Sequence, residues 1–324
     1  MEMENEKIEV EDSEKQTKLQ VLPDTSVPVE YVEKKMQEYF KTSSRFGPNL
    51  KMLHIGVGQG YFSVVARVFP DWTPPDSKLD KSFIVKVSSL ATSRKVMEDE
   101  EVVKATEAAS LNKEEFLGRM DKIRIQGHNT EVSFYSLVKK YKIGVKLPEI
   151  YFAQKVSLES DYGGLMLMED AGEASFVIPQ YEKTKLTDVK QFLDDFVKGI
   201  PDRDDPKLVH PGCIVEDIIR YVSSALSVTD RRQHFDQLLQ YYYEELEKSF
   251  GDCLSFTCDQ LKQAAVRMIP FATVHILFAF GKITEAEVRR KHPDREKELI
   301  KYIRENALGL LEDIWQCYQI NSKK

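Results

Sequence analysis

The spacing of apolar positions changes several times along this chain, and each change predicts a change of element. Residues 1 to 22 carry few large apolar side chains among Glu, Lys, Asp and Ser. Such a stretch cannot bury enough surface to offset the entropy of ordering its backbone, so it predicts a disordered tail. From Val27 onward, Val29, Val32, Met36 and Phe40 recur at spacings of three and four, which predicts a first helix. From Met52 to Val68 and from Ser82 to Val87, short runs of β-branched and aromatic residues interrupted by glycine predict strands. Pro70 to Asp76 between them is a loop of proline and aspartate turn signals, so the runs read as an antiparallel hairpin sheet.

Residues 88 to 127 read as polar helical material, and His128 to Tyr141 as a better helix with Phe134, Leu137, Val138 and Tyr141 on one stripe. Two more strands are predicted around Glu149 to Lys155 and Gly164 to Met168. After Glu169 the period is helical, near 187–198, 213–228, 231–248, 257–280, 284–290 and 295–318. Strand-rich material followed by helix-rich material predicts an α+β protein: a small sheet lobe over 27–170 and a larger helical lobe over 171–320.

Composition narrows the setting. A chain of 324 residues fits two lobes or two domains, and a net charge of -7 gives no pull toward nucleic acid or an anionic membrane. The four cysteines form no Cys-x-x-Cys pair and the N-terminus is acidic, which argues against a disulfide framework or a secretory signal and for a cytoplasmic protein. The longest apolar run, Met268 to Phe280, contains Pro270 and His275. It is shorter than the roughly 17–25 residues a membrane helix needs, and is expected to be a buried helix.

Three places could carry chemistry. In Ile55-Gly56-Val57-Gly58-Gln59-Gly60-Tyr61-Phe62-Ser63, glycines between two strand-like runs allow main-chain N–H groups to approach a phosphate, or simply allow a tight turn. A strand rather than a helix follows them, which disfavours a Rossmann dinucleotide site. Lys86 stands inside Phe83-Ile84-Val85-Lys86-Val87, where an ammonium either reaches water from an edge strand or meets a counter-charge. Glu131 shares a helical stripe with Phe134 and Val138, and is a partnered carboxylate or a solvated boundary residue. Taken in order, a glycine hairpin, a strand lysine, a helix glutamate and a strand ending in Met168-Glu169-Asp170 follow the logic of a kinase small lobe.

These phrases, with Phe46-Gly47, Pro70-Asp71-Trp72 and His128-Asn129-Thr130-Glu131-Val132-Ser133-Phe134-Tyr135, resemble the CHK kinase-like proteins expanded in nematodes. Those are similar to ecdysteroid kinases, choline kinases and aminoglycoside phosphotransferases. His210 to Arg220 and Leu226 to Arg232 resemble the helix that follows the metal-binding segment in the same family. The resemblance implies a protein-kinase-like fold, in which a small antiparallel-sheet lobe with one main helix precedes a mostly helical large lobe. It implies ATP as cofactor and phosphoryl transfer to the hydroxyl of a small molecule that it does not name. By position, Gly58 and Gly60 would shape the phosphate loop, Lys86 would contact the nucleotide, and Glu131 would hold Lys86. Glu169 and Asp170 would lie at the hinge that binds the base, and Asp217 would be a structural acid at the start of a helix.

Active members of that family carry a His-Gly-Asp-x-x-x-x-Asn loop and a further metal-binding Asp. Neither motif occurs here, since no histidine precedes Gly-Asp. The resemblance jumps near Gly199-Ile200-Pro201-Asp202-Arg203-Asp204-Asp205, so the large lobe reads as truncated. Asp202, Asp204 and Asp205 are either substitute ligands for a hard cation or a solvated acidic turn. No catalytic base and no metal ligand is assigned, and Mg²⁺ is unsupported. The expectation is an inactive or incomplete kinase-like chain, with a nucleotide-binding pseudokinase or a helical interaction module as the alternative.

Overall fold

The computed structural model describes residues 25–55, 62–98, 103, 112–142, 147–172, 181–198 and 215–323. The expected tail, Gly58, Gly60, His210 and the Asp202–Asp205 cluster lie outside them. The described residues divide between two compact units, Met1–Tyr135 with Leu147–Gly172, and Ser136–Lys146 with Glu173–Lys324.

The first unit is built on five strands: β1 (Lys51–Ile55), β2 (Ser63–Phe69), β3 (Phe83–Ser88), β4 (Ile150–Gln154) and β5 (Leu165–Glu169). They form one sheet of order β1-β2-β3-β5-β4, antiparallel at every described pairing. Side chains alternate across a pleated strand. Val64, Ala66 and Val68 of β2, Phe83, Val85 and Val87 of β3, and Leu165 and Leu167 of β5 therefore share one face, all buried. Helix α1 (Val29–Phe40) adds Val32 and Met36 to that cluster. A bulge between Ile150 and Phe152 in β4 lets successive aromatics, Tyr151 and Phe152, both pack with it.

One long helix packs against part of the other face. After a short α2 (Ala91–Val96), helix α3 runs over Lys113–Tyr141, so the expected improvement at His128 is instead the middle of a continuous helix. Asn112 starts it, its Oδ1 accepting from the Glu114 and Glu115 N–H groups at 2.9 and 3.2 Å. The expected stripe is also displaced: Phe134 and Leu137 are exposed, while His128 and Val132 are buried and Tyr135 packs with Met166 and Met168 of β5. Hydrogen bonds from His128 and Asn129 to the end of β4, described below, set the helix's rotation.

The second unit is helical: α4 (Leu186–Lys198), α5 (Glu216–Ala225), α6 (Val228–Phe250), α7 (Cys258–Ala279), α8 (Lys282–Lys291) and α9 (Glu296–Asn321). Ser227 caps α6, and Thr257 with Gln260 forms a capping box on α7. One core joins α4, α5, α6 and α7 through Leu193, Ile219, Tyr242 and Ala265. A second joins α7, α8 and α9 through Ile276, Val288 and Ile303. Helices α6 and α9 approach closely at Gly309, where an added Cβ would lie 2.1 Å from Val228 Cγ2. There Asn306 accepts from the Val228 N–H and Asp313 pairs with Arg231. The apolar run at 268–280 lies in α7 but is not wholly buried, since Phe271 and Val274 face water. No described helix is long and apolar enough to cross a membrane. The α+β class is as the sequence predicts.

Candidate functional site

On the face of the sheet opposite α1, the three inner strands carry two cations among their apolar positions, Lys86 and Arg67. Lys86 lies between its cross-strand neighbours Val65 and Met166, whose side chains share its face. Its ammonium would be stranded there without a counter-charge. Helix α3 supplies one: Lys86 Nζ lies 2.6 Å from Glu131 Oε1 and 2.7 Å from Oε2. Both side chains keep roughly a quarter to a third of their surface in water, at 26% and 30%. The pair is therefore neither sealed in the core nor a free surface contact.

Glu131 is placed by the residues just before it. His128 is buried, and its Nε2–H donates to the Gln154 carbonyl at the end of β4 over 2.8 Å. A carbonyl can only accept, which fixes the proton on Nε2. Burial pushes the His128 imidazole below its ordinary value, against smaller raising effects of the Gln154 bond and Glu131. Asn129 then clasps the chain after β4 through both ends of its amide, accepting from the Val156 N–H at 2.8 Å and donating to the Val156 carbonyl at 3.1 Å. Gly164, just before β5, makes room for the imidazole: a Cβ there would lie 2.5 Å from His128 Cδ2. His128 and Asn129 stand in the phrase that marks this helix, and spacing alone gives them no role. The signal was a pair of hydrogen-bonding side chains one helical turn ahead of the carboxylate.

The second cation lies in a cluster at the other end of the same face. Arg67 Nη2 donates to Asp170 Oδ1 at 2.9 Å, and Arg67 Nε lies 2.7 Å from Oδ2, at ion-pair distance without the angle of a hydrogen bond. Ser82 Oγ donates to Oδ2 at 2.7 Å and the Gly172 N–H to Oδ1 at 3.0 Å. Burial alone would raise the Asp170 carboxyl; these three donors outweigh it and hold the group below the usual carboxylate range. Its neighbour Glu169 accepts from the Glu149 N–H at 3.0 Å, tying the residue before β4 to the end of β5. Both carboxylates expected at the hinge are thus occupied by the protein's own donors. Arg67 escaped the sequence reading, although it interrupts an apolar strand as Lys86 does.

Other phrases singled out in the sequence form scaffold. The Gly47 N–H donates to the Pro70 carbonyl, the Asn49 N–H to the Asp71 carboxylate, and the Phe46 and Trp72 rings meet edge to face at 5.1 Å. Asp217 lies in the first turn of α5, where an acid complements the helix dipole. At the Ser88 end of the sheet an open hollow of about 760 Å³ is lined by Arg94, Lys95 and Arg124 together with Glu98, Asp121 and Asp161, a balance that does not single out a polyanion. Among the described residues no group of three or more His, Cys, Asp or Glu side chains is gathered as for a metal ion.

A family model described as "Uncharacterized oxidoreductase dhs-27", DUF1679, matches residues 20–198 and 205–322. The chain belongs to this family. The family match is interrupted at residues 199–204, inside the stretch where the sequence resemblance jumps. No curated protein and no solved structure matches the chain.

Proposed function

We propose that this chain binds a nucleotide on the sheet face that carries Lys86, and that it does not transfer the phosphoryl group. The observation behind this reading is the Lys86–Glu131 pair. An ammonium has three N–H groups, and two serve the Glu131 oxygens. A third remains for a phosphate oxygen, from a side chain whose direction is fixed before any ligand arrives. That is the division of labour of the lysine and helix glutamate in kinase-like proteins. Turnover also needs a group to accept the hydroxyl proton and charge to neutralise the transferring phosphoryl. The sequence offers no His-Gly-Asp loop to supply either.

The family description points to redox chemistry instead. A Rossmann dinucleotide site needs a strand, a glycine turn and then a helix, normally within a parallel sheet. In this chain the glycines join β1 to β2, which pair antiparallel, so we do not adopt that reading.

The test is thermal unfolding with ATP. Ligand at about 100 times its dissociation constant adds roughly 2.7 kcal/mol to stability. ATP should raise Tm, EDTA should leave the rise nearly intact, and Lys86→Ala should remove most of it. A folded protein that gains nothing from millimolar ATP refutes nucleotide binding. Sustained phosphotransfer abolished by Lys86→Ala refutes the absence of turnover.

A further inference from the structure

On the sheet face that carries Lys86, the β2–β3 part is only half-covered, and it holds its two cations in a fixed arrangement. Val65 lies opposite Lys86, and Arg67 opposite Ile84, in the antiparallel pairing of β2 with β3. Directly paired side chains point to the same side of a sheet, so the four form one patch with the cations on its diagonal. All four are half-buried, whereas Val64, Ala66, Val85 and Val87, which alternate with them, are buried. Diagonal neighbours are set about 7–8 Å apart at the backbone. A nucleoside bridges a gap of that order between its 5′ phosphate and the far edge of its base, and Val65 and Ile84 offer the base an apolar floor.

Arg67 is aimed before any ligand arrives. Asp170 faces its Nε/Nη2 edge: Nη2 donates to Oδ1 at 2.9 Å and Nε lies 2.7 Å from Oδ2. Asp170 is fixed in turn by Ser82 Oγ and the Gly172 N–H. A guanidinium carries five N–H groups in one plane, and this arrangement leaves the parallel pair on its Nη1/Nη2 edge. Arg67 Nη1 donates to no described residue, and the side chain keeps 24% of its surface in water. A phosphate drawn to that edge would bring its charge towards the Asp170 carboxylate. A neutral pair of acceptors would not.

We infer, on the nucleotide-binding reading proposed above, that Arg67 reads the base of the nucleotide held at Lys86 and selects a 6-oxopurine, guanine or hypoxanthine. O6 and N7 of such a base are adjacent acceptors that match the two parallel N–H groups. Adenine turns its N6 amino group, a donor, to the same edge and keeps N7 alone. A pyrimidine offers O4 alone or an amino group. Asp170 thus serves the base indirectly, by holding the guanidinium that meets it.

Thermal shifts of the full chain against rising GTP, ITP, ATP and inorganic triphosphate give dissociation constants that test this. GTP and ITP are expected to bind about tenfold tighter than ATP, a difference of about 1.4 kcal/mol, with inorganic triphosphate weaker than GTP. Arg67→Lys keeps a cation beside Asp170 and loses the fork, so it should bring GTP and ITP to the level of ATP while leaving ATP little changed. Equal binding of GTP and ATP overturns the inference and leaves the nucleotide site standing. A GTP preference that survives Arg67→Lys also overturns it, because another group then reads the base. If Arg67→Lys does not fold, ITP decides, since it carries an oxygen where ATP carries the N6 amino group: ITP bound no tighter than ATP overturns the inference. No shift with any nucleotide removes the nucleotide site, and the base reader with it.

Discussion

The two faces of the five-stranded sheet are made by the same strands and differ by one residue in register. One collects Val64, Ala66, Val68, Phe83, Val85, Val87, Leu165 and Leu167, all buried. The other, from the intervening positions, collects Val65, Arg67, Ile84, Lys86, Met166 and Met168. On the first face nothing needs a specific partner, because apolar burial is non-directional. On the second, Lys86 has Glu131 and Arg67 has Asp170 as counter-charge, and Ser82 and the Gly172 N–H donate further to Asp170. Stability is concentrated on one side and positioned charge on the other. Substitutions on the two sides should therefore fail differently.

The largest loss is expected on the apolar face. Phe83 is fully buried beside Phe46. Phe83→Ala should cost about 3–5 kcal/mol, read as a lower urea midpoint. A cost below about 1 kcal/mol would mean that this face is not the core. Next comes Asp170→Asn, which leaves Arg67 without its counter-charge. Arg67 keeps 24% of its side-chain surface in water, so the loss should be about 3 kcal/mol, the low end for breaking a buried pair. Because the folded Asp170 carboxyl is held below its ordinary 3.8, its stabilisation is present above that value and is lost as pH falls through the folded one. The gap between the two proteins should stay constant near neutral pH and narrow as pH falls below 3.8; a gap unchanged in that range would assign the effect to packing.

Gly164→Ala sharpens the comparison differently, by moving the helix rather than removing a charge. The new Cβ would meet the His128 ring and Val156 Cγ2 at 2.5 and 2.8 Å. Overpacking of this kind costs about 1–3 kcal/mol. Combining it with His128→Ala should recover part of that loss, and strict additivity would show that the two do not press on each other.

Much of this was legible in the sequence because each signal was local. The alternation in Phe83–Val87 put Lys86 on the face opposite Val85, where its charge called for water at a strand edge or for an acid. The helical segments after Glu169 followed from apolar spacing alone. What was not legible depends on contacts distant in sequence. Which side of α3 meets the sheet is set by bonds from His128 and Asn129 to residues 26 and 27 positions away, so a stripe drawn through Phe134 and Leu137 chose the wrong side. Arg67 finds Asp170 across 103 positions, and no periodicity within either segment announces it. The exposure of Leu311, Trp315 and Tyr318 on α9 was equally hidden, since spacing cannot separate a helix buried all round from one with an exposed side.

The smallest effect expected comes from His128, and it tests whether the anchor of the charged face is held neutral. Burial lowers the folded imidazole below its ordinary 6.5, with Lys86 and Arg124 adding to this and Glu131 opposing it. The unfolded chain takes up a proton as pH falls through about 6.5, while the folded chain does not until lower pH. Stability from this group is therefore complete above about 6.5 and erodes below it, because the unfolded state binds more protons there. One pH unit below costs at most about 1.4 kcal/mol. His128→Gln keeps a donor for the Gln154 carbonyl and cannot titrate. Between pH 7.5 and about 5.5 the unaltered protein should lose more stability than this variant, by up to that amount. Equal losses of unfolding free energy by the two proteins between these pH values, read from urea titrations, would mean that His128 accepts its proton in the folded chain as readily as in the unfolded one. Glu131 would then be held in place without a neutral histidine behind it.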